Sequence, residues 1–139
     1  MAITQAMCTS FKAECLDEQH DLVADTIKIA LYTSSASLGA ATTAYTTSSE
    51  VASGNGYTTG GNTLTNKVVS TSGTTAYFDS DDPEWTSASF TARGALIYND
   101  TNSDKAIAVL DFGGDFTVSS GTFRIVFPAA GANAIIRIA

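Results

Sequence analysis

Histidine occurs once in this 139-residue chain, cysteine twice, tryptophan once and proline twice, and only 15% of the residues are charged. Each shortage excludes something. One histidine, His20, with no cysteine or second histidine near it, gives a serine or cysteine nucleophile no dedicated base. It reads as a surface residue following a helix. Two cysteines without nearby His or Asp partners fall short of a zinc set. On one helix Cys8 and Cys15 would stand about 10.5 Å apart along the axis, beyond the reach of a disulfide. Both are expected to be buried, inert thiols. No two Lys or Arg fall within ten residues of each other, so a phosphate-binding patch is not expected and neither is direct nucleic-acid binding. No basic segment precedes an apolar one at the N-terminus and no apolar run is long enough to cross a bilayer, so the expectation is synthesis in the cytoplasm and no membrane partner.

What is abundant points to β structure. Apolar residues make up 44%, enough for a folded chain. About a quarter of the residues are Ser or Thr, and Thr suits a pleated, half-buried strand. At this length one domain spanning 1–139 should bury roughly two-thirds of the surface exposed by the unfolded chain. The formal charge is −7.

Residues 4–17 place Met7, Phe11 and Cys15 at helical spacing with Cys8 beside them, and Thr4 is the expected N-cap. Residues 1–20 are therefore read as a helical segment packed on the β core or on a neighbouring subunit. Glu14, Asp17, Glu18 and Asp21 gather at its far end, where the helix dipole favours cations. From residue 27 the period becomes two: Ile27, Ile29 and Leu31 alternate with Lys28, Ala30 and Tyr32. Residues 33–61 are rich in Ser, Thr, Ala and Gly and read as a long connection with one short strand. Strand patterns return at 63–69, 74–79, 87–99, 105–112, 121–127 and 134–138. The clearest hairpin pairs 95–99 with 106–110 across Asp100-Thr101-Asn102-Ser103-Asp104. About seven or eight short strands with unequal links predict a mainly β fold, an antiparallel sandwich of jelly-roll or other Greek-key type, with a short N-terminal helix.

Other features have plain explanations. Asp79, Asp81, Asp82 and Glu84 could offer oxygens to a hard cation, but the spacing is not that of an EF-hand and Pro83 marks a turn, so a solvated loop is expected and no metal. Trp85 reads as a buried strand anchor rather than the floor of a sugar site. The glycines of 54–60 are misspaced for a dinucleotide fold. Asn99-Asp100-Thr101 matches a glycosylation sequon and reads as a turn. No catalytic residues and no cofactor are expected.

Phe90-Thr91-Ala92-Arg93-Gly94-Ala95-Leu96-Ile97-Tyr98-Asn99, followed by Ala106-Ile107-Ala108-Val109-Leu110-Asp111-Phe112-Gly113, resembles a group of small virion structural proteins of tailed bacteriophages. The opening Met1-Ala2-Ile3-Thr4-Gln5-Ala6-Met7-Cys8, the run Ile27-Lys28-Ile29-Ala30-Leu31-Tyr32-Thr33-Ser34-Ser35-Ala36, and the ending Phe127-Pro128-Ala129-Ala130 with Ala134-Ile135-Ile136-Arg137-Ile138 fit the same group. The resemblance implies a non-enzymatic particle component. Its expected form is a jelly-roll decoration or cement protein, a homotrimer bound to the major capsid protein at subunit joints on the outer surface of the virion. A tail, collar or baseplate component is the alternative, followed by a glycan- or receptor-binding module using Trp85, Tyr45, Tyr57 and Tyr77. A hydrolase using Asp111, Asp115 or the 79–84 cluster comes last. The candidate subunit or capsid contacts are Met7, Phe11 and Cys15 on the helix and Tyr45 and Tyr57 in the long connection.

Overall fold

A computed structural model describes residues 2–139. In chain order the elements are β1 (Ala6–Met7), α1 (Thr9–Leu16), β2 (Ile27–Tyr32), β3 (Asn62–Thr63), β4 (Val68–Ser72), β5 (Thr75–Asp79), β6 (Glu84–Asn99), β7 (Lys105–Arg124) and β8 (Ile136–Ile138). They form two antiparallel sheets, one ordered β1-β7-β6-β2-β3 and the other β4-β5-β8. The fold is mainly β with one short N-terminal helix, and the two sheets share one core: Phe78 of β5 and Ile136 of β8 belong to the same buried cluster as Leu96 of β6 and Phe11 of α1.

β2 lies between β6 and the short β3 in the larger sheet. Its alternation of apolar and other residues predicts one buried face, yet Ala30 and Tyr32 are as fully buried as Ile27, Ile29 and Leu31. Two neighbours and a cover explain this. β2 pairs with β6 over its whole length, from Ile27 opposite Asn99 to Tyr32 opposite Gly94, and with β3 at Lys28 and Ile29. The 33–61 connection supplies the cover: along the β2 edge beyond β3, Val51 N donates to Leu31 O at 2.9 Å and Thr33 N to Ser49 O at 2.9 Å, and the Tyr32 hydroxyl donates to Thr46 O at 2.6 Å. Burial of Ile27, Ile29 and Leu31 contributes about 1.5–3 kcal/mol for each side chain. Gly61 makes the close approach possible, because a Cβ there would lie 1.8 Å from Ile29 O and its φ is +79°.

The expected helix is shorter than its apolar stripe. Residues before Thr9 are drawn into the sheet instead: Ala6 lies opposite Val109, Met7 opposite Ala108, and Thr4 N donates to Leu38 O at 2.9 Å. Thr4 is therefore no N-cap; Cys8 holds that position and makes no side-chain cap. A two-residue strand leaves almost no periodicity to read, and backbone pairing outweighs the helical pattern.

The second departure is β7. The strand expected to end at residue 112 runs on through Gly113-Gly114 to Arg124 beside β6, taking in the separate strand expected from residue 121. The ladder passes from the pair Gly94 and Asp111 to the pair Ala92 and Phe116, so residues 112–115 are accommodated as an irregular excursion. Gly113, at φ +79°, takes the left-handed conformation that such a bulge requires. A further bulge sets Ser119 and Ser120 against Ser89. The result is a long, bent β6–β7 hairpin whose outer half projects beyond β2.

Candidate functional site

His20 is not at the surface: its side chain is 1% exposed. Its Nε2 lies 2.9 Å from Glu14 Oε1 and its Nδ1 lies 3.0 Å from Asn99 Nδ2. The Asn99 amide nitrogen, which also donates to Asp25 Oδ2 at 2.8 Å, can only donate, so Nδ1 accepts and Nε2 carries the proton toward Glu14. Phe11 packs beside the imidazole with ring centroids 4.9 Å apart. Both nitrogens are thus engaged in tying the helix end to the β6–β7 turn, where Asn99 Oδ1 accepts from Asn102 N at 3.1 Å. This network also accounts for much of the acidic helix end. Glu14 faces His20 and, at 3.8 Å, Lys105; Asp21 Oδ1 accepts from Val23 N and Ala24 N at 3.2 and 3.0 Å. The Asn99 hydrogen bond holds the Asp25 carboxyl below its ordinary range.

The cysteines are free. Burial, reinforced by the nearby Glu14 charge, pushes the Cys8 thiol up to about 11, and the same two causes raise Cys15. Both are thiols, not thiolates, at neutral pH. In the acidic segment, Asp81 Oδ2 accepts from Thr65 Oγ1 at 3.3 Å and from Asn66. Asp82 receives Arg124 Nη2 at 3.1 Å and Phe127 N at 2.9 Å. Among the described residues no group of three His, Cys, Asp or Glu side chains is placed to hold a metal ion.

A network that the sequence did not suggest secures the long connection. Glu50 accepts Tyr45 Oη–H at Oε1 (2.6 Å), and Tyr57 Oη–H and Gly60 N–H at Oε2 (2.5 and 2.8 Å). Tyr57 Oη in turn accepts Leu31 N at 3.0 Å. Tyr98 donates to Gly60 O at 2.7 Å and Tyr32 to Thr46 O at 2.6 Å. Burial raises all four phenols above their ordinary value, and the Glu50 hydrogen bond adds to the rise at Tyr45 and Tyr57. The residues that make a Ser- and Gly-rich loop look mobile are therefore anchored by aromatic hydroxyls that reach it from β2 and β6.

The five expected contact residues have different fates. Phe11 and Tyr57 are buried in the chain's own core, which removes both from any surface offered to a partner. Tyr45 is half-buried, stacked on Tyr98 with centroids 4.5 Å apart, and is joined to Tyr57 through Glu50. Met7 lies on β1 and borders a shallow cavity with Gln5 and Arg137. Cys15 remains, partly exposed, on the wall of an apolar groove. That groove runs between α1 and the smaller sheet and is walled by Cys15, Leu22, Val69, Ala76 and Ile138. Val69 and Ile138 are more than half exposed, and Leu16, next to Cys15 at the helix end, is 88% exposed.

A second apolar surface lies on the outer half of the hairpin. Phe112, Phe116, Val118, Phe123 and Ile125 border a trough of about 460 Å³, with Phe116 53% and Val126 72% exposed. Its rings continue inward as a chain of contacts: Phe112 to Phe123 at 6.0 Å, Phe123 to Trp85 at 6.1 Å, Trp85 to Tyr57 at 6.2 Å. Trp85 itself is 3% exposed, so neither it nor Tyr57 offers a ring face to a sugar. Leu16, Val69, Phe116 and Ile138 were missed from sequence because only folding reveals which apolar residues stay uncovered. Compared with protein-family models, curated proteins and solved structures, the chain matches none.

Proposed function

We propose that this chain is a non-enzymatic structural subunit of a tailed-phage particle, a decoration or cement protein seated on the outer face of the capsid where major capsid protein subunits meet. The observation that carries the reading is the apolar groove between α1 and the β4-β5-β8 sheet, with Val69 and Ile138 exposed along it. Contiguous apolar surface on a rigid β frame suits contact with another protein. The likeness of the β2, β6 and β7 sequences to small phage virion proteins supplies the setting. The polar groups that chemistry would use, His20, Glu50 and Asp82, hold the fold together instead. A net charge of −7 keeps such a part clear of packaged nucleic acid and directs it to the outside. Binding only to the assembled shell would stabilise that shell by mass action.

The test is addition of the purified protein to capsids that lack it. Saturable binding of hundreds of copies per particle, a raised temperature of capsid disruption, and loss of both in Val69→Asp and Ile138→Asp variants are the expected results. No binding to capsids rejects the reading, and a particle carrying only a few or a dozen copies moves the chain to the tail, collar or baseplate.

A further inference from the structure

Beyond Asp111, β7 has a strand on one side only. Among the described residues β1 reaches no farther than Val109 and Ala108, Gln5 Oε1 accepts Asp111 N at 3.2 Å, and from Phe112 to Arg124 the sole strand partner is β6. A free strand edge presents a row of backbone donors and acceptors that another strand can complete. Along this edge the sequence is close to its own mirror image: Asp115-Phe116-Thr117-Val118-Ser119, then Ser120-Gly121-Thr122-Phe123-Arg124. About a centre between Ser119 and Ser120, serine meets serine, Thr117 meets Thr122, Phe116 meets Phe123, and Asp115 meets Arg124.

We propose that β7 pairs edge to edge with β7 of a second copy, antiparallel, about a two-fold axis between Ser119 and Ser120, so that the trough of one copy continues into the trough of the other. A two-fold axis normal to a sheet keeps each face on its own side, so residues that meet across the axis must already share a face. In a regular strand Phe116 and Phe123, an odd number of residues apart, would point to opposite faces. The Ser119–Ser120 bulge resets the alternation: Phe116 lies opposite buried Ala92, Phe123 opposite buried Trp85. The Phe112 ring contacts both, at 6.2 and 6.0 Å. The same axis preserves the direction of the bend, so two curved edges can run together.

Charge selects the orientation. A parallel, in-register pairing would set Asp115 beside Asp115 and Arg124 beside Arg124, whereas the antiparallel one sets each against its opposite. Both are partly exposed and already have a partner within the chain, Arg93 at 3.5 Å and Asp82 at 3.1 Å, so pairing lengthens two ionic rows without burying a bare charge. The half-exposed Phe116 ring gains Phe123 of the second copy as a neighbour, a cross-strand aromatic pair of the kind that stabilises sheets. The assembly is a closed dimer rather than the trimer implied by the phage resemblance. It does not depend on the particle reading, and either can fail alone.

Sedimentation equilibrium from ~5 to ~200 μM tests it, with circular dichroism to show that each variant is folded. The wild type is expected to reach a dimer within that range. Asp115→Arg and Arg124→Asp each place like charges across the axis and should weaken association at least ~10-fold, and the double variant should return to within ~3-fold of wild type. Amide exchange should slow in 115–124 on raising the concentration. Bulges and charges on an edge are also how monomers keep edges from pairing; a monomer throughout, a trimer, or a double variant no tighter than the singles overturns the proposal.

Discussion

Replacing Glu50 by alanine removes the acceptor on which two tyrosine hydroxyls and one backbone amide converge, at 2.6, 2.5 and 2.8 Å. Hydrogen bonds to a charged group contribute about 1.5–3 kcal/mol each, less here because water can re-enter at a half-buried carboxylate. The hydroxyl of Tyr57 is the sensitive one, since its ring is 2% exposed and its oxygen also accepts Leu31 N. Summing the three contacts with that discount gives a loss of about 3–4 kcal/mol for Glu50→Ala, a large share of the ~5–15 kcal/mol that a domain commands. The corresponding fall in Tm is about 10–15 °C. Glu50→Gln keeps one oxygen acceptor and should lose only about 1–2 kcal/mol. Urea unfolding followed by far-UV circular dichroism gives these numbers directly. The double-mutant cycle of Glu50→Ala with Tyr45→Phe should show a coupling of about 1–2 kcal/mol. A Glu50→Ala cost below about 1 kcal/mol, or a vanishing coupling, would refute the assignment of Glu50 as the anchor of the long connection.

The buried phenols carry a pH signature. Burial raises Tyr32, Tyr45, Tyr57 and Tyr98 in the folded state above the usual phenol value of about 10, so the unfolded chain loses those protons first. Stability from them is present below pH 10 and declines as pH rises beyond it; denaturation midpoints measured at pH 8, 9, 10 and 11 should be level at first and then fall. His20→Ala leaves Glu14 and Asn99 without their shared partner and opens a gap beside Phe11, with an expected loss of about 2–4 kcal/mol in thermal unfolding. Gly61→Ala, whose Cβ would meet Ile29 O at 1.8 Å, should abolish folding or cost more than ~3 kcal/mol, whereas Gly114→Ala, with nothing within 4 Å of its Cβ, should be within about 1 kcal/mol of wild type. Equal effects at the two glycines would contradict the close approach of the long connection to β2.

Where the pattern is long and local, the sequence is legible. Ile27, Ile29 and Leu31 mark β2, and the turn residues of 100–104 mark the β6–β7 hairpin, whose inner ends pair from Ala95 opposite Leu110 to Ile97 opposite Ala108 and, after a one-residue shift, from Tyr98 opposite Ala106 to Asn99 opposite Lys105. Trp85 is the buried anchor that its place in a strand suggests. The failures arise where distant residues decide. Met7 has helical spacing to Phe11, but a neighbouring strand claims its backbone. Gly113-Gly114 looks like the end of a strand and is a bulge within one, because β6 supplies partners on both sides of it. His20 follows a helix and looks exposed until Asn99, remote in sequence, closes over it. Tyr57 lies in an aperiodic stretch, and only its hydroxyl's reach to Glu50 and to the Leu31 amide shows why a large ring belongs there.

The position of β2 between β6 and β3 orders the assembly of the chain in time. The β6–β7 hairpin closes across five residues, from Asn99 to Lys105, and can form early with little loss of chain entropy. β2 then has to find β6 across more than sixty residues of intervening chain, a slow search by the usual dependence of rate on contact separation. Until it arrives, the β6 edge carrying Leu96, Ile97 and Tyr98 has no cover. That interval is when newly made chains are most exposed to aggregation, and changes that delay β2 should reduce the yield of soluble protein even where the finished fold tolerates them.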